Sequence, residues 1–280
     1  MSIKIITDST SDISQKQASE FGITVLPLRV IFTEGEYSDG IDLLNEDFYK
    51  KLVQAEKLPT TSQLTPDQYL PYFEEAKKNK DTVIVITLSS KLSGTYQSAV
   101  IAKDICDYDD IHIIDSLTVT LGLQILVRIA VDMVTKGYPA KDIINEIETT
   151  KHKIRLFALV ESLEYLKKGG RLSSVGALAG TILNIKPIIE VINGEVGVAG
   201  KSRGMSGAFG KLIKLIESTG GIDFTKYYCV GYSGSMDNMN QFLDYTGSTL
   251  EVEKRITSPI GSVVGTHAGP GVCGIAFCIK

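Results

Sequence analysis

The sequence predicts an α/β protein with an N-terminal parallel-sheet α/β domain and a C-terminal α/β domain whose sheet is largely antiparallel. Three observations predict this fold class. At 280 residues, the chain is longer than a typical single domain. Its first half alternates short β-branched runs with helical patterns, as βαβ units do. Its second half carries Asn193 and Gly194 between two apolar runs, and this dipeptide favours a two-residue β-hairpin turn.

The first half contains the clearer helix boundaries. Thr65, with Gln68 three residues later, forms a capping-box pattern, and Pro66 would occupy the first helical position. Gly22 and Gly137 lie where the C-caps of two helices are expected. Strands are predicted at residues 3–7, 23–32, 82–87 and 111–114.

From about residue 154 the apolar runs become shorter, which favours an antiparallel sheet. Strands are predicted at residues 186–192, 195–199, 227–232, 250–255 and 274–279, with helices near 206–218 and 236–245. The change in pattern predicts a boundary between residues 150 and 160. We therefore expect one domain at residues 1–155 and another at residues 156–280.

Composition and charge disfavour several function classes. The formal net charge of -4 and the pI near 5.5 leave no basic excess for binding nucleic acid. The N-terminus lacks the charged-then-apolar organisation of a signal peptide, so a cytoplasmic location is expected. Residues 119–134 form the longest apolar stretch, but Gln124, Arg128 and Asp132 within it favour a buried helix over a membrane span.

Cysteine spacing and glycine motifs disfavour cofactor chemistry. The four cysteines are scattered without a Cys-x-x-Cys pair, which indicates reduced structural thiols and no metal site. Neither a Walker A motif nor a Gly-x-Gly-x-x-Gly motif after the first strand is present, which disfavours ATP or NAD as a cofactor. The segment 231–235 resembles a nucleophile elbow, but Ser235 stands where glycine is expected.

Polar loops follow the predicted strands of the first half, at residues 7–12, 60–63, 88–95 and 115–116. In an open parallel sheet, ligands bind beyond the carboxyl ends of the strands. Hydroxyl and free backbone N–H groups at helix starts suit an anion, and Ser93 and Gly94 precede a predicted helix. Each hydroxyl alone is also a common cap or turn residue. Their number at equivalent positions favours an anion site.

One histidine lies in a glycine-rich segment. Residues 265–271 are predicted to form a loop that holds His267, whose imidazole can both donate and accept at neutral pH. Two alternatives stay open for it, a hydrogen bond within the loop and direct ligand contact. His112 lies in an apolar strand and His152 lies among lysines, so structural or exposed positions are expected for both.

Taken together, these loops resemble those of the DegV family, whose members are similar to the acyl-binding subunit of bacterial fatty acid kinase. Each matching segment is short, but seven of them occur in the right order along the whole chain. They are residues 8–10, 61–63, 92–99, 115–116, 163–171, 184–187 and 265–267.

The resemblance implies that the chain binds a long-chain fatty acid such as palmitate between its two domains and does no covalent chemistry itself. Thr61 and Ser93, with the neighbouring Ser62 and Gly94, would hold the carboxylate near His267, and the acyl tail would occupy an apolar tunnel. The family likeness also implies a role in bacterial lipid metabolism, in which a separate kinase subunit phosphorylates the presented carboxylate.

The same resemblance assigns Arg171 and Arg203 to contacts with the kinase subunit or with the new phosphate. Two departures from the family pattern bear on these expectations. Gln124 stands where a small residue is expected, which would alter the tunnel and its acyl-chain preference. Residues 204–210 contain no lysine or arginine, although related chains are often basic there, which argues against kinase docking at this segment.

Two other functions stay open on the sequence. An acyl hydrolase would use Ser93 as the nucleophile, His267 as the base and Asp8 or Asp115 to orient the imidazole. The spacing of these residues does not demonstrate that alignment. A regulatory or structural α/β protein would use the same polar loops only as caps and turns.

Overall fold

The structure is a computed structural model that describes residues 2–172, 184–250 and 252–280. The strands of the first half are β1 Ile3–Asp8, β2 Thr24–Leu26, β3 Arg29–Phe32, β4 Gly35–Ser38, β5 Thr60–Ser62, β6 Thr82–Thr87 and β7 Ile111–Asp115. Its helices are α1 Gln15–Phe21, α2 Asn45–Gln54, α3 Pro66–Asn79, α4 Thr95–Cys106, α5 Leu121–Thr135 and α6 Ala140–Thr150.

A four-stranded parallel sheet with the order β2-β1-β6-β7 organises the first half, as predicted. Every residue of β6 is buried, because an inner parallel strand is covered on both faces. The predicted helix boundaries are also confirmed. Gln68 accepts a hydrogen bond from the backbone N–H of Thr65, and Pro66 is the first residue of α3. Gly22 ends α1 with a φ of 66°.

The predicted single strand at residues 23–32 is wrong. Pro27, which has no backbone N–H to donate, separates β2 from β3. The strand β2 joins the parallel sheet, whereas β3 pairs antiparallel with β4 and β5 in a small separate sheet. The polar segment predicted as a loop at residues 60–63 therefore includes a strand, in which Thr61 pairs with Val30.

The second half contains a six-stranded sheet. Its strands are β8 Ile154–Leu159, β9 Ile185–Ile192, β10 Glu195–Arg203, β11 Tyr228–Tyr232, β12 Arg255–Pro259 and β13 Cys273–Cys278. Its helices are α7 Glu164–Lys168, α8 Met205–Ser218, α9 Asp237–Thr246 and α10 Ser262–Ala268. The strand order is β10-β9-β8-β13-β11-β12, and the β11–β12 pair is parallel whereas the other neighbours are antiparallel. The largely antiparallel sheet is therefore confirmed.

The hairpin between β9 and β10 turns at Asn193 and Gly194, as predicted. Both residues have positive φ, 49° and 87°, which is the conformation that this dipeptide favours. The predicted strand at residues 250–255 is wrong, although its residue 251 lies outside the described residues. The strand β12 begins only at Arg255, because its place is set by parallel pairing with β11, in which Arg255 lies opposite Tyr228.

Helix α5 contacts both larger sheets, and its buried face belongs to a core that also contains Ile84 of β6 and Ala276 of β13. The prediction of a buried helix at residues 119–134 is confirmed. A Cβ atom on Gly231 of β11 would lie 2.6 Å from a methyl carbon of Leu121, so glycine is required for this close approach. Among the described helices, none is long and apolar enough to cross a membrane.

Candidate functional site

An apolar cavity extends between helices α5, α7 and α10 and the strands of the six-stranded sheet. Most of its wall consists of aliphatic side chains, which can enclose a hydrocarbon but not a solvated polar molecule. Its apolar lining is formed by Leu28, Leu88, Leu92, Val119, Leu121, Leu156, Ala158, Leu166, Ile189, Val191, Val196, Ile260, Val263, Val264, Ala268 and Val272, with Gly274.

Polar side chains are grouped in this cavity. The lining includes Thr61, Ser62, Ser93, Gly94 and His267, which are the residues expected to bind a carboxylate. They come from three separate parts of the chain, the strand β5, the start of α4 and the last turn of α10. The fold thus brings together all of the predicted ligand-binding residues.

Thr61 and His267 are in direct contact. The Oγ1 atom of Thr61 lies 2.9 Å from the Nε2 atom of His267, within hydrogen-bond distance. The segment around His267 is not the predicted loop but the helix α10. A Cβ atom on Gly265 would lie 2.4 Å from the Tyr49 hydroxyl, so this glycine allows close helix packing rather than a turn.

The imidazole of His267 lies in a poorly hydrated environment. Burial, together with the nearby positive charge of Arg171, lowers the pKa of His267 to about 4. The ring is therefore neutral at physiological pH. Its Nδ1 atom has no hydrogen-bond partner among the described residues, and a Cβ atom on Gly169 would lie 2.2 Å from it.

Ser93 lies at the start of α4. Its hydroxyl oxygen is 3.0 Å from that of Thr95 and accepts a 3.3 Å hydrogen bond from the Thr95 backbone N–H. Gly94 is the N-cap of α4, and a Cβ atom there would lie only 2.1 Å from the Gln63 side-chain oxygen. Gln63 in turn donates to the Ser98 hydroxyl at 3.1 Å. These contacts hold the β5 segment against α4 beside the polar side chains of the cavity.

The two arginines with predicted partner contacts lie in different environments. Arg171 lines the cavity, and its Nε and Nη1 atoms donate to the carbonyl oxygens of Leu92 and Gly169 at 3.3 and 2.6 Å. These bonds make Arg171 part of the cavity wall. Arg203 ends β10, is exposed, and is not among the residues that line the cavity.

The residues of the hydrolase alternative have other partners. Asp8 accepts from the backbone N–H groups of Thr10 and Leu88 at 3.0 and 2.8 Å. Asp115 accepts from the backbone N–H groups of Ser90 and Leu117 at 3.2 and 3.0 Å. Within the described part of the chain, no carboxylate therefore orients His267 as a triad requires.

The segment resembling a nucleophile elbow is structural. Ser233 is buried, donates to the Gly269 carbonyl at 2.8 Å and accepts from the Val272 N–H at 2.8 Å. The other two histidines lie where the sequence indicates, with His112 in β7 and His152 exposed in a 3-10 turn. Neither lines the cavity.

Gln124, expected to alter the tunnel, is not among the residues that line the cavity, and its effect on acyl-chain preference stays a prediction. Its side-chain nitrogen donates to the Ser11 carbonyl at 3.2 Å and the Ser258 hydroxyl at 3.3 Å. The thiol of Cys229 donates to its oxygen at 3.5 Å. This buried amide therefore has its own partners outside the cavity lining. All four cysteines are buried and free, and the described residues include no group of three or more potential ligands that could hold a metal.

Four further residues of the site escape sequence reasoning. Gln63, Gly169, Thr10 and Thr120 line the cavity or pack against His267. Gln63, Gly169 and Thr10 lie inside segments that resemble the family, and Gln63 and Thr10 also lie in polar loops after predicted strands, which are the signals that could have identified them. The importance of Thr120 has no local sequence signal, because it depends on a backbone conformation that only the folded chain reveals.

The fold and the cavity define a class of α/β protein with a mainly aliphatic cavity in which a small group of hydroxyl and imidazole groups is collected. The chain belongs to the DegV family, whose profile, described as that of an uncharacterised protein, matches residues 2–280. A DegV domain-containing protein of Caldanaerobacter subterraneus subsp. tengcongensis is 40% identical over 277 residues, covering 98% of both chains.

Solved structures confirm the fold class. A DegV family protein from Thermus thermophilus, described as binding fatty acid, matches with a TM-score of 0.90 and 30% identity, covering 100% of both chains. A stearic acid-binding protein from Eubacterium ventriosum matches with a TM-score of 0.87 and 28% identity, covering 99% of this chain and 97% of that one.

Proposed function

We propose that this chain binds a long-chain fatty acid in the cavity, with the carboxylate held by Thr61 and Ser93 beside His267. The observation that carries the proposal is the contact between Thr61 and His267 within a mainly aliphatic cavity. The fatty-acid binding described for two similar structures supports the same ligand class. In this proposal the ligand lies between domains at residues 1–155 and 156–280.

Tail burial supplies most of the binding free energy. A sixteen-carbon tail has about 14 methylene groups, and burying each one contributes ~0.8 kcal/mol, so the gross gain is on the order of 11 kcal/mol. The head-group residues then have a different task. They fix the orientation of the ligand, because a desolvated carboxylate without hydrogen-bond donors is costly.

A neutral His267 suits this task. If its Nε2–H donates to the Thr61 oxygen, the Thr61 hydroxyl hydrogen is free to donate to a carboxylate. Ser93 can supply a second hydroxyl donor, with Ser62 and the Gly94 backbone at the same group. Hydrogen bonds to a charged acceptor contribute about 1.5 to 3 kcal/mol each, which is less than the tail contributes.

We further propose that the chain does no covalent chemistry and presents the carboxylate to a separate kinase subunit for phosphorylation. The exposed guanidinium group of Arg203 suits a contact with that subunit or with the new phosphate. Arg171, held by two carbonyl groups beside His267, suits a contact with the phosphate from inside the cavity.

Native mass spectrometry of the recombinant protein tests the binding function. The cytoplasm of the expression host supplies fatty acids, so the expected result is about one acyl chain per protein chain. A matched variant, Ala158→Phe, fills part of the apolar wall and should carry less lipid. A folded wild-type preparation without an extractable acyl chain, which also fails to bind added palmitate, would contradict the proposal.

A further inference from the structure

The first residues of helix α10, which carries His267, donate hydrogen bonds to two carboxyl groups that are not part of the cavity lining. Asp12 accepts a 2.8 Å hydrogen bond from the backbone N–H of Gly261. Asp39 accepts a 3.0 Å bond from the backbone N–H of Ser262 and another from the Ser262 hydroxyl. These carboxyl groups lie 249 and 223 residues away along the chain, so they tie the helix to the first half of the protein.

The helix is too short to set its own position. It has seven residues, and an isolated helix of this length is not stable in water. Beyond the two carboxyl groups, Tyr49 donates to the Ile260 carbonyl at 3.0 Å, just before the helix. The position of His267 in its last turn therefore depends on how its first residues are held.

Asp12 also forms a hydrogen bond with a second part of the cavity wall. Its other carboxyl oxygen accepts a hydrogen bond from the hydroxyl of Thr120, which lines the cavity before α5. Thr120 has φ 49° and ψ -123°, a conformation that is strained for a β-branched residue. The same carboxyl group therefore holds the start of α10 and a strained residue of the cavity wall.

Keeping these two carboxyl groups away from solvent lowers the stability of the folded protein. Burial, with a smaller contribution from the negative charges of Asp39 and Asp8, raises the pKa of Asp12 to about 8, although its hydrogen bonds to Thr120 and Gly261 act in the opposite direction. Burial likewise raises the pKa of Asp39, and no lysine or arginine is among the main influences on either group. Buried carboxyl groups without a cationic partner are a common sign of a functional role.

We propose that Asp12 and Asp39 are positioning residues that, by holding the start of α10 and Thr120, determine where His267 meets Thr61 and hence where the ligand carboxylate is held. Only the final step, the placement of the carboxylate, rests on the proposed fatty-acid function. The contact between His267 and Thr61 can be measured without any ligand.

The test compares Asp12→Ala with the conservative Asp12→Asn, which keeps an acceptor for Gly261. The first readout is the imidazole nitrogen NMR signal of His267 in lipid-free protein, with Thr61→Val as the reference for a lost contact. The second is the rate of palmitate release. We expect Asp12→Ala to move the His267 signal towards that of Thr61→Val and to increase the rate of palmitate release on the order of ten-fold. In Asp12→Asn, the His267 signal and the release rate should both be close to those of the wild type.

A second variant covers the case in which Asp12→Ala does not fold. A Cβ atom on Gly261 would lie 2.9 Å from an Asp12 oxygen and 3.4 Å from both Asp39 oxygens, so Gly261→Ala displaces the carboxyl groups without removing them. Gly261 has φ -65°, which alanine adopts without strain. We expect the same shift of the His267 signal.

Asp81→Asn is the matched control, because Asp81 is buried and, like Asp12, accepts a hydrogen bond from a backbone N–H, that of Ser2 at 2.6 Å, but does not contact α10. Unchanged His267 signals in both Asp12→Ala and Gly261→Ala, with a loss of thermal stability like that of Asp81→Asn, would overturn the positioning role. If the two variants show shifted His267 signals but the wild-type protein binds no palmitate, the positioning role stands and only the fatty-acid function is contradicted.

Discussion

His267 shows at the residue scale how burial sets the chemistry of the site. Its pKa, lowered to about 4, means that the imidazole neither gains charge nor attracts the carboxylate as an ion at neutral pH. It acts instead through the hydrogen bond with Thr61. The ring is thus suited to orienting a hydroxyl group, and the described carboxylates leave it without the partner that a catalytic base requires.

We predict that the His267 ring does not titrate between pH 8 and pH 5. An unfolded chain protonates this histidine near pH 6.5, whereas the folded protein does so only near pH 4, so folded stability falls as the pH falls between those values. Nitrogen-edited NMR of the imidazole measures this directly. A titration midpoint for His267 near the ordinary 6.5 would contradict the buried environment.

The carboxyl group of Asp12 predicts the opposite pH dependence. Its folded pKa of about 8 lies above the ordinary 3.8, so the folded protein holds the proton in this range whereas the unfolded chain does not. This contribution to stability is complete below pH 3.8 and is lost as the pH rises towards 8. Asp8 and Asp39, whose pKa values are also raised by burial, act in the same direction.

Asp12→Asn cannot ionise and should escape this loss. We expect its free energy of unfolding, relative to wild type, to rise by up to about 4 kcal/mol between pH 5 and pH 8, because about 1.4 kcal/mol per pH unit acts over most of this range. Denaturant unfolding at the two pH values measures the difference, and Asp81→Asn provides the comparison. A difference between Asp12→Asn and wild type that is the same at both pH values would show that the Asp12 carboxyl group does not titrate there.

At the scale of elements, the turn between α7 and residue 171 packs against the His267 imidazole through Gly169. A Cβ atom on Gly169 would lie 2.2 Å from the His267 Nδ1 atom, while its φ of -76° is ordinary for alanine. Gly169→Ala should therefore displace the His267 ring rather than strain its own backbone, and cost about 1–3 kcal/mol through overpacking.

The expected result for Gly169→Ala is weaker palmitate binding together with a changed His267 NMR signal. Gly35→Ala is the control, because a Cβ atom there would only reach ordinary contact with Tyr37 at 3.7 Å. Calorimetric titration of both variants provides the measurement. Equal affinity in the two variants would mean that the turn does not set the position of the ring.

Elements also mark the limit of what the sequence could predict. The β6 strand and the α4 start were predictable, because β-branched runs and N-terminal hydroxyls act locally. The β5 strand was not, because three residues of threonine and serine form a strand only when β3 lies beside them. Helix α10 was not predictable, since its glycine, Gly265, serves packing against Phe48 and Tyr49, which lie more than two hundred residues away in sequence.

At the scale of the whole molecule, the parallel and the antiparallel sheet follow from periodicity and turn residues, but their joining does not. Helix α5 packs against both sheets and closes the cavity between them, a contact that no local pattern encodes. The polar loops that contain Thr61 and Ser93, and His267, were candidates from the residues alone, and the family likeness assigned all three to one carboxylate site. Their meeting in one cavity depends on the complete topology.

The proposed contact with a kinase subunit involves the surface of the whole molecule, and a substitution of Arg203 tests it. Arg203→Ala should keep palmitate binding within a few-fold of wild type, because the side chain is exposed and outside the cavity lining. Phosphorylation of bound palmitate by a fatty acid kinase catalytic subunit should fall at least ten-fold. The exposed Lys201 of the same strand supplies the control Lys201→Ala, and equal phosphorylation of the two variants would contradict the assignment.

The central claim is that Thr61 and Ser93 hold a fatty-acid carboxylate, and NMR of palmitate labelled with carbon-13 at its carboxyl group tests it most directly. In wild-type protein, the bound carboxyl signal should be distinct from that of free palmitate. In Thr61→Val/Ser93→Ala, binding should persist through the tail, but the carboxyl signal and its titration should change, because two donors are lost from a poorly hydrated site. An unchanged carboxyl shift and titration in the double variant would contradict the claim.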